Sequence, residues 1–261
     1  MRNIYFDLTE ELNAEGTIAV LASGQAVVFY RLALMSKDGD WILREAPEAC
    51  RRALTVLEKH GARYRPGAPL DVRWLAGGWS SHFEMSDPQA RRVRCDFFSR
   101  PPRIRPDEVA ALFSPEEMPE PFRVVGLEPL IRMKQTQRAK DYPVIGELAR
   151  LLPPDLEIEL TTDPDRILEL VQAVGKDSGR SSVRAALSGV REDVVVALAR
   201  EADQNQREDR ARLDKYRAAA VGYLREIQAA RIGDLDLPSA HERICEIAER
   251  WLPFDPDEAK G

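Results

Sequence analysis

The chain has 261 residues, of which 44% are hydrophobic and 31% charged, and its net charge is −6. That composition suits a protein with a real apolar core, arranged as one large domain or two modest ones. The acidic balance argues against indiscriminate nucleic-acid binding, and no run of about 18 apolar residues offers a membrane span.

In chain order, residues 4–15 predict an amphipathic helix with Ile4, Leu8 and Leu12 on one stripe. Residues 17–22 read as a buried strand, and residues 25–34 as a helix begun at the Ser23-Gly24 turn. Asp40 to Leu43 continues a strand that starts in Asp38-Gly39. Pro47 opens a helix that runs to His60 and stops at Gly61. Residues 70–75, 80–85 and 93–98 alternate like strands, with a break at Gly77-Gly78. Pro101, Pro102 and Pro106 close that region. Helical segments are expected at 107–113 and 126–152, the second long enough to cross the core. Pro153-Pro154 marks the boundary between a region of residues 1–152 and a helical C-terminal region of residues 153–261. Within the latter, residues 157–160 read as extended, and residues 164–172, 181–187, 192–223 and 240–251 as helices, with a loop at 234–238. Residues 200–217 are so charged that they predict either a solvated helix or a brace between helices. The tail, residues 254–261, is expected to fray, and no internal repeat is present. The fold class is therefore α/β (α+β): a small mixed sheet flanked by helices, followed by the helical region.

Three cysteines, Cys50, Cys95 and Cys245, show no paired spacing and read as reduced thiols. The N-terminus lacks the apolar stretch of a secretory signal, so the expected location is cytoplasmic, without a membrane partner.

The chemistry-bearing residues begin with Asp38 and Asp40. In an extended strand they project from the same face, and a neighbouring strand carrying Asp96 would complete a cluster of three carboxylates. Like charges about 4 Å apart repel by roughly 4 kcal/mol at an effective dielectric of about 20. Divalent cations reverse that cost, and hard oxygen donors suit Mg²⁺ held together with phosphates. The same Lys37-Asp38-Gly39-Asp40 stretch is also a good hairpin, and Asp96 could instead pair with Arg94 or another arginine. Ser23 and Gly24 offer backbone N–H groups to a phosphate, or simply start a helix. Lys134 and Arg138, spaced i and i+4 on one helix face, could clamp a triphosphate or face solvent, and Asp141 could brace that helix. The arginines Arg91, Arg92, Arg94, Arg100, Arg103 and Arg105 either line the mouth of the site for a polyanion or pair with the many acids. Trp74 and Trp79 read as core rather than as base-stacking residues, and His82 as a satisfied strand residue. His60, at a helix end, and His241 are isolated, no His/Cys set has zinc spacing, and Ser80-Ser81-His82 makes no catalytic triad.

Several of these features together resemble a known family. A short strand ends in Ala22-Ser23-Gly24, Asp38-Gly39-Asp40 follows, and Asp96 lies on a later strand. Glu128 to Lys134 then continues through Arg138 to Lys140-Asp141. This order resembles the minimal nucleotidyltransferases of the DNA polymerase beta-like fold, most of all the AbiEii-type toxins of type IV toxin–antitoxin systems, over residues 5–152. Ser23 stands where the family has the first Gly of its turn, and Gly39, which stands where it has an apolar residue, is expected to loosen the strand. The resemblance implies transfer of NMP from an NTP to an RNA (tRNA) or protein acceptor. It assigns Mg²⁺ or Mn²⁺ to Asp38, Asp40 and Asp96, and triphosphate binding to Ser23, Gly24, Lys134 and Arg138. It also implies an antitoxin protein as partner, and no recognition of DNA sequence. The alternatives are a catalytically inactive scaffold of that shape and an RNA-binding module.

Overall fold

A computed structural model describes residues 3–118, 121–175 and 178–256. Five strands form one mixed sheet: β1 (Ala19–Ala22), β2 (Asp38–Leu43), β3 (Arg63–Tyr64), β4 (Ser80–Ser86) and β5 (Arg92–Phe98). They lie in the order β1-β2-β5-β4-β3, with β2 and β5 parallel and the other neighbours antiparallel. β4 and β5 alternate between buried and partly exposed residues along their length, as strands with one face on a core do. The apolar face carries Trp41, stacked on Phe97 at 5.3 Å between centroids, and Phe83. The opposite face carries Asp38, Asp40, Arg94, Asp96 and His82.

Helix α1 (Ile4–Leu12) packs on the apolar face, burying Tyr5, Leu8 and Leu12, and Asn3 caps it through the Tyr5 N–H. Asn13 welds this helix to the sheet. Its Oδ1 accepts the N–H groups of Ile18 and Ala19, and its Nδ2 donates to the carbonyls of Thr9 and Ala19. α2 (Ser23–Phe29) is shorter than expected, ending before residues 30–34. α3 (Pro47–Lys59) starts and stops as its Pro and Gly predict, with Gly61 at φ +64°.

Other expectations also need correction. Residues 70–75 are not a strand but contain a one-turn helix, α4 (Val72–Leu75), because Asp71 caps the Arg73 N–H. The segment 126–152 is not one helix: α5 (Leu127–Lys134) and α6 (Tyr142–Ala149) are separated by a turn and a short 3-10 stretch at Ala139–Asp141. Residues 157–160 are helical, within α7 (Pro154–Leu160). Residues 107–113 shrink to a 3-10 turn at Val109–Phe113.

α8 (Pro164–Val174), α9 (Ser181–Ala186) and the start of α10 (Arg191–Ala219) close over a small second apolar cluster of Ile158, Ile167, Leu170, Val183, Ala186 and Val194. The helices after Pro153 divide between two apolar clusters. α11 (Val221–Ala229) and α12 (Leu237–Trp251) return to the main core through Tyr223, Ile227, Ile244, Ile247 and Ala248. α12 starts inside the loop expected at 234–238. The tail packs as far as Pro256 instead of fraying. Trp74 and Trp79 donate to the Leu252 and Pro253 carbonyls, and the Phe254 backbone lies so close to Gly77 that a Cβ there would collide with it. The remainder of the expected fray lies outside the described residues. No helix among the described residues is long and apolar enough to cross a membrane.

Candidate active site

Strand pairing assembles the site. β2 sets Asp40 opposite Asp96, β4 sets His82 opposite Asp96, and β1 sets Ala22 opposite Asp40. Cross-strand partners share a face, so Ala22, Asp40, Asp96 and His82 form one row across four strands. Asp38 lies two residues before Asp40 on that face, opposite Arg94, and Ser23 follows directly after Ala22. The three carboxylates expected on one face are there, in a strand and not a hairpin.

Their surroundings differ. The Asp40 carboxylate forms neither a hydrogen bond nor an ion pair with any described residue. Burial pushes its carboxyl up to about 7, the charges of Asp96 and Asp38 add to that rise, and Arg138 and Lys134 pull the other way. Asp96 Oδ1 takes His82 Nδ1 at 2.9 Å and Arg65 Nη1 at 3.5 Å. Asp38 Oδ1 is buried without a hydrogen-bond donor, with Arg94 Nη1 at 3.5 Å as its ion-pair partner. As the side chains stand, no three His, Cys, Asp or Glu residues among those described form a group that could hold a metal ion.

Local packing fixes the strand that bears the first two carboxylates. The Tyr5 ring covers Gly39 so closely that a Cβ would strike it, and the Tyr5 hydroxyl donates to the Lys37 carbonyl at 2.7 Å. Gly39 therefore does not loosen β2: an aromatic ring from α1 fills the place of the missing side chain. The buried Gln25 donates to the Ser36 carbonyl at 3.0 Å, and Ser36 Oγ to that of Asp38 at 3.3 Å. Ser23 does not cap α2. It is the helix's first residue, at φ +50°, and Ala22 holds the cap position. Gly24 is small because Ser36 packs against it.

Lys134 and Arg138 both bear on Asp40, but not as neighbours on one helix face. Lys134 is the last residue of α5, and Arg138 lies past the break. Burial pushes the Lys134 amine down, while Asp141 and Asp40 hold it up. Asp141 takes the cap position of α6 without making a side-chain cap bond.

Of the six arginines between 91 and 105, Arg94 is the one set beside the carboxylates. Arg91 pairs with Asp87, Arg92 with Glu84, Arg100 with Glu45, Arg103 with Glu208, and Arg105 with Asp107 and Glu108. Trp74 and Trp79 are buried and present no stacking platform. His60 pairs with Glu11, and His241 Nδ1 meets the Tyr64 hydroxyl at 2.8 Å.

Arg65 escaped the reading of the sequence, and His82, expected as a satisfied strand residue, is satisfied by Asp96. The alternation of Ser80 to Ser86 puts His82 on the polar face, but nothing local says that β5, with Asp96, is its neighbour. No protein-family model, curated protein or solved structure matches this chain.

Proposed function

We propose that this protein is a metal-dependent nucleotidyltransferase that moves an NMP group from an NTP to a hydroxyl of an RNA (tRNA) or protein acceptor, with pyrophosphate leaving. The observation that carries this reading is the placement of Asp38, Asp40 and Asp96 on one face of two paired strands, with Lys134 and Arg138 bearing on Asp40. The donor set suits Mg²⁺ or Mn²⁺. All three are hard carboxylates, one buried Asp38 oxygen lacks a hydrogen-bond donor, and Asp40 has no direct counter-charge. Asp38 and Asp40 would hold the ions with Asp96 completing the set. When bound, such ions stabilise the charge on the attacking and leaving oxygens.

The chain's own groups divide the remaining work. Lys134 and Arg138, which bear on Asp40, meet the phosphates together with the backbone of Ser23 and Gly24. His82 and Arg65 hold Asp96 by Oδ1, leaving Oδ2 to orient the acceptor hydroxyl and take its proton. The resemblance to AbiEii-type toxins extends the proposal to growth arrest and to an antitoxin partner.

The test is transfer of label from α-labelled NTPs, each supplied with Mg²⁺ or Mn²⁺, to total tRNA and cell lysate. Label is expected with the wild type and is lost in the Asp38→Asn/Asp40→Asn double variant. Growth arrest on expression should be lost with Asp38→Asn. A second reading, a catalytically inactive scaffold, draws on Arg65 and Arg94: they already offset part of the carboxylate charge that a metal would otherwise neutralise. Well-folded protein that transfers no label from any NTP would favour it.

A further inference from the structure

We infer that the long helix α10, through Asp209, is a positioning device that holds the turn between α5 and α6 and so sets Lys134 and Arg138 against the carboxylate row. The geometric part of this inference stands on its own, and its consequence for nucleotide binding rests on the function proposed above.

Apolar helical spacing in residues 126–152 lapses between Met133 and Tyr142, and Pro143 removes a helical donor, so the sequence itself favours a break there. The structure interrupts these residues at 135–138; the N–H groups of Gln135, Thr136 and Arg138 are met locally, and other polar groups of that turn are met from α10 or by side chains tied to it. The Gln137 N–H donates to Asp209 Oδ2 at 3.0 Å. The Gln135 carbonyl accepts from Arg103 Nε at 3.3 Å, and the same guanidinium reaches the Asn205 carbonyl at 2.9 Å and Glu208 at 2.7 Å. The Tyr142 hydroxyl lies 3.4 Å from the Thr136 carbonyl and 3.3 Å from the Ala202 carbonyl. Broken helix ends leave unsatisfied donors and acceptors, and here α10 and its partners replace part of the lost ladder.

Asp209 is the informative member. It is 5% exposed, on a helix whose other buried residues are Val194 and Ala197. Burying a carboxylate is costly unless it is paired and hydrogen-bonded. This one is both, since Oδ1 takes Arg212 Nη2 at 2.9 Å while Oδ2 holds the turn. The charged stretch 200–217 is thus a brace. Its cargo is the turn that lies between Lys134 and Arg138.

The test compares wild type, Asp209→Asn, Asp209→Ala and Tyr142→Phe by two readouts. The first is acetylation of Lys134, resolved by mass spectrometry, with the exposed Lys59 as internal reference. Lys134 is half-buried, so release of the turn should raise its rate relative to Lys59 by at least about fivefold in Asp209→Ala, as local opening does. Asp209→Asn keeps an acceptor for the Gln137 N–H and should stay within about twofold of wild type. Tyr142→Phe should lie between them, and it carries the test if Asp209→Ala does not fold. The second readout is calorimetric binding of inorganic tripolyphosphate, expected to weaken in the same order. Folded Asp209→Ala and Tyr142→Phe proteins whose Lys134 labelling equals that of wild type would overturn the inference. A changed Lys134 rate with no tripolyphosphate binding in any protein would uphold the brace and remove the nucleotide reading alone.

Discussion

Asp40 and Glu157 are both carboxylates set among packed side chains, and the fold treats them in opposite ways. Glu157 lies in the small cluster under α7 and α8, 1% exposed, and takes both its oxygens to one guanidinium: Arg166 Nε at 2.7 Å and Nη2 at 2.8 Å. Its charge is matched in the fork geometry that suits a carboxylate best. Asp40 lies in the main sheet beside two further carboxylates, and no described residue bonds to it. The first arrangement is complete in itself. The second stores an electrostatic cost, as sites that await a ligand do.

Variants should separate the two by sign as well as size. Glu157→Gln leaves the Arg166 fork half-matched in a buried setting, although Glu169 still holds Nη1. It is expected to cost about 2–4 kcal/mol in urea unfolding, the largest effect here. Asp40→Asn should act in the opposite direction. In the unfolded chain Asp40 gives up its proton near 3.8, and in the folded protein near 7. The folded state therefore loses stability as pH rises through that window, and none of the penalty remains below it. The variant should exceed wild type by on the order of 1–2 kcal/mol at pH 8, with the two melting curves converging towards pH 4. An Asn variant less stable than wild type at pH 8 would mean that Asp40 has a partner in solution.

Smaller effects sharpen the contrast between supporting and incidental contacts. Tyr5→Phe keeps the ring over Gly39 but loses the bond to the Lys37 carbonyl, at a cost of about 1 kcal/mol by chemical denaturation. Arg243→Ala removes an exposed pair with Glu246 and should change stability by no more than about 0.5 kcal/mol.

Much of the sheet was legible because strand alternation is local. Val93, Cys95 and Phe97 against Arg94, Asp96 and Phe98 state which face is buried before any partner is known. The same reasoning failed at residues 70–75, where Asp71 captures the Arg73 N–H and turns an alternating run into a helical turn. Lys134 and Arg138 were paired for a reason the structure replaces: both bear on Asp40 although the helix between them is broken. Gly39 looked like a weak point in β2, since the Tyr5 ring that fills its space comes from 34 residues earlier.

The sequence by itself determined the amphipathic faces, the Pro-marked start and Gly-marked stop of α3, and the facing of Asp38 and Asp40 to one side of a strand. These follow from backbone geometry within a few residues. Tertiary structure alone decided that Asp96 lies beside Asp40, that His82 and Arg65 hold it, that residues 220–252 rejoin the first core, and that α10 holds the turn between α5 and α6. Each of these depends on strand order or on contacts between distant segments. Such contacts form where burial and hydrogen bonding over the whole chain are best satisfied, and that balance is not written in any one stretch of residues.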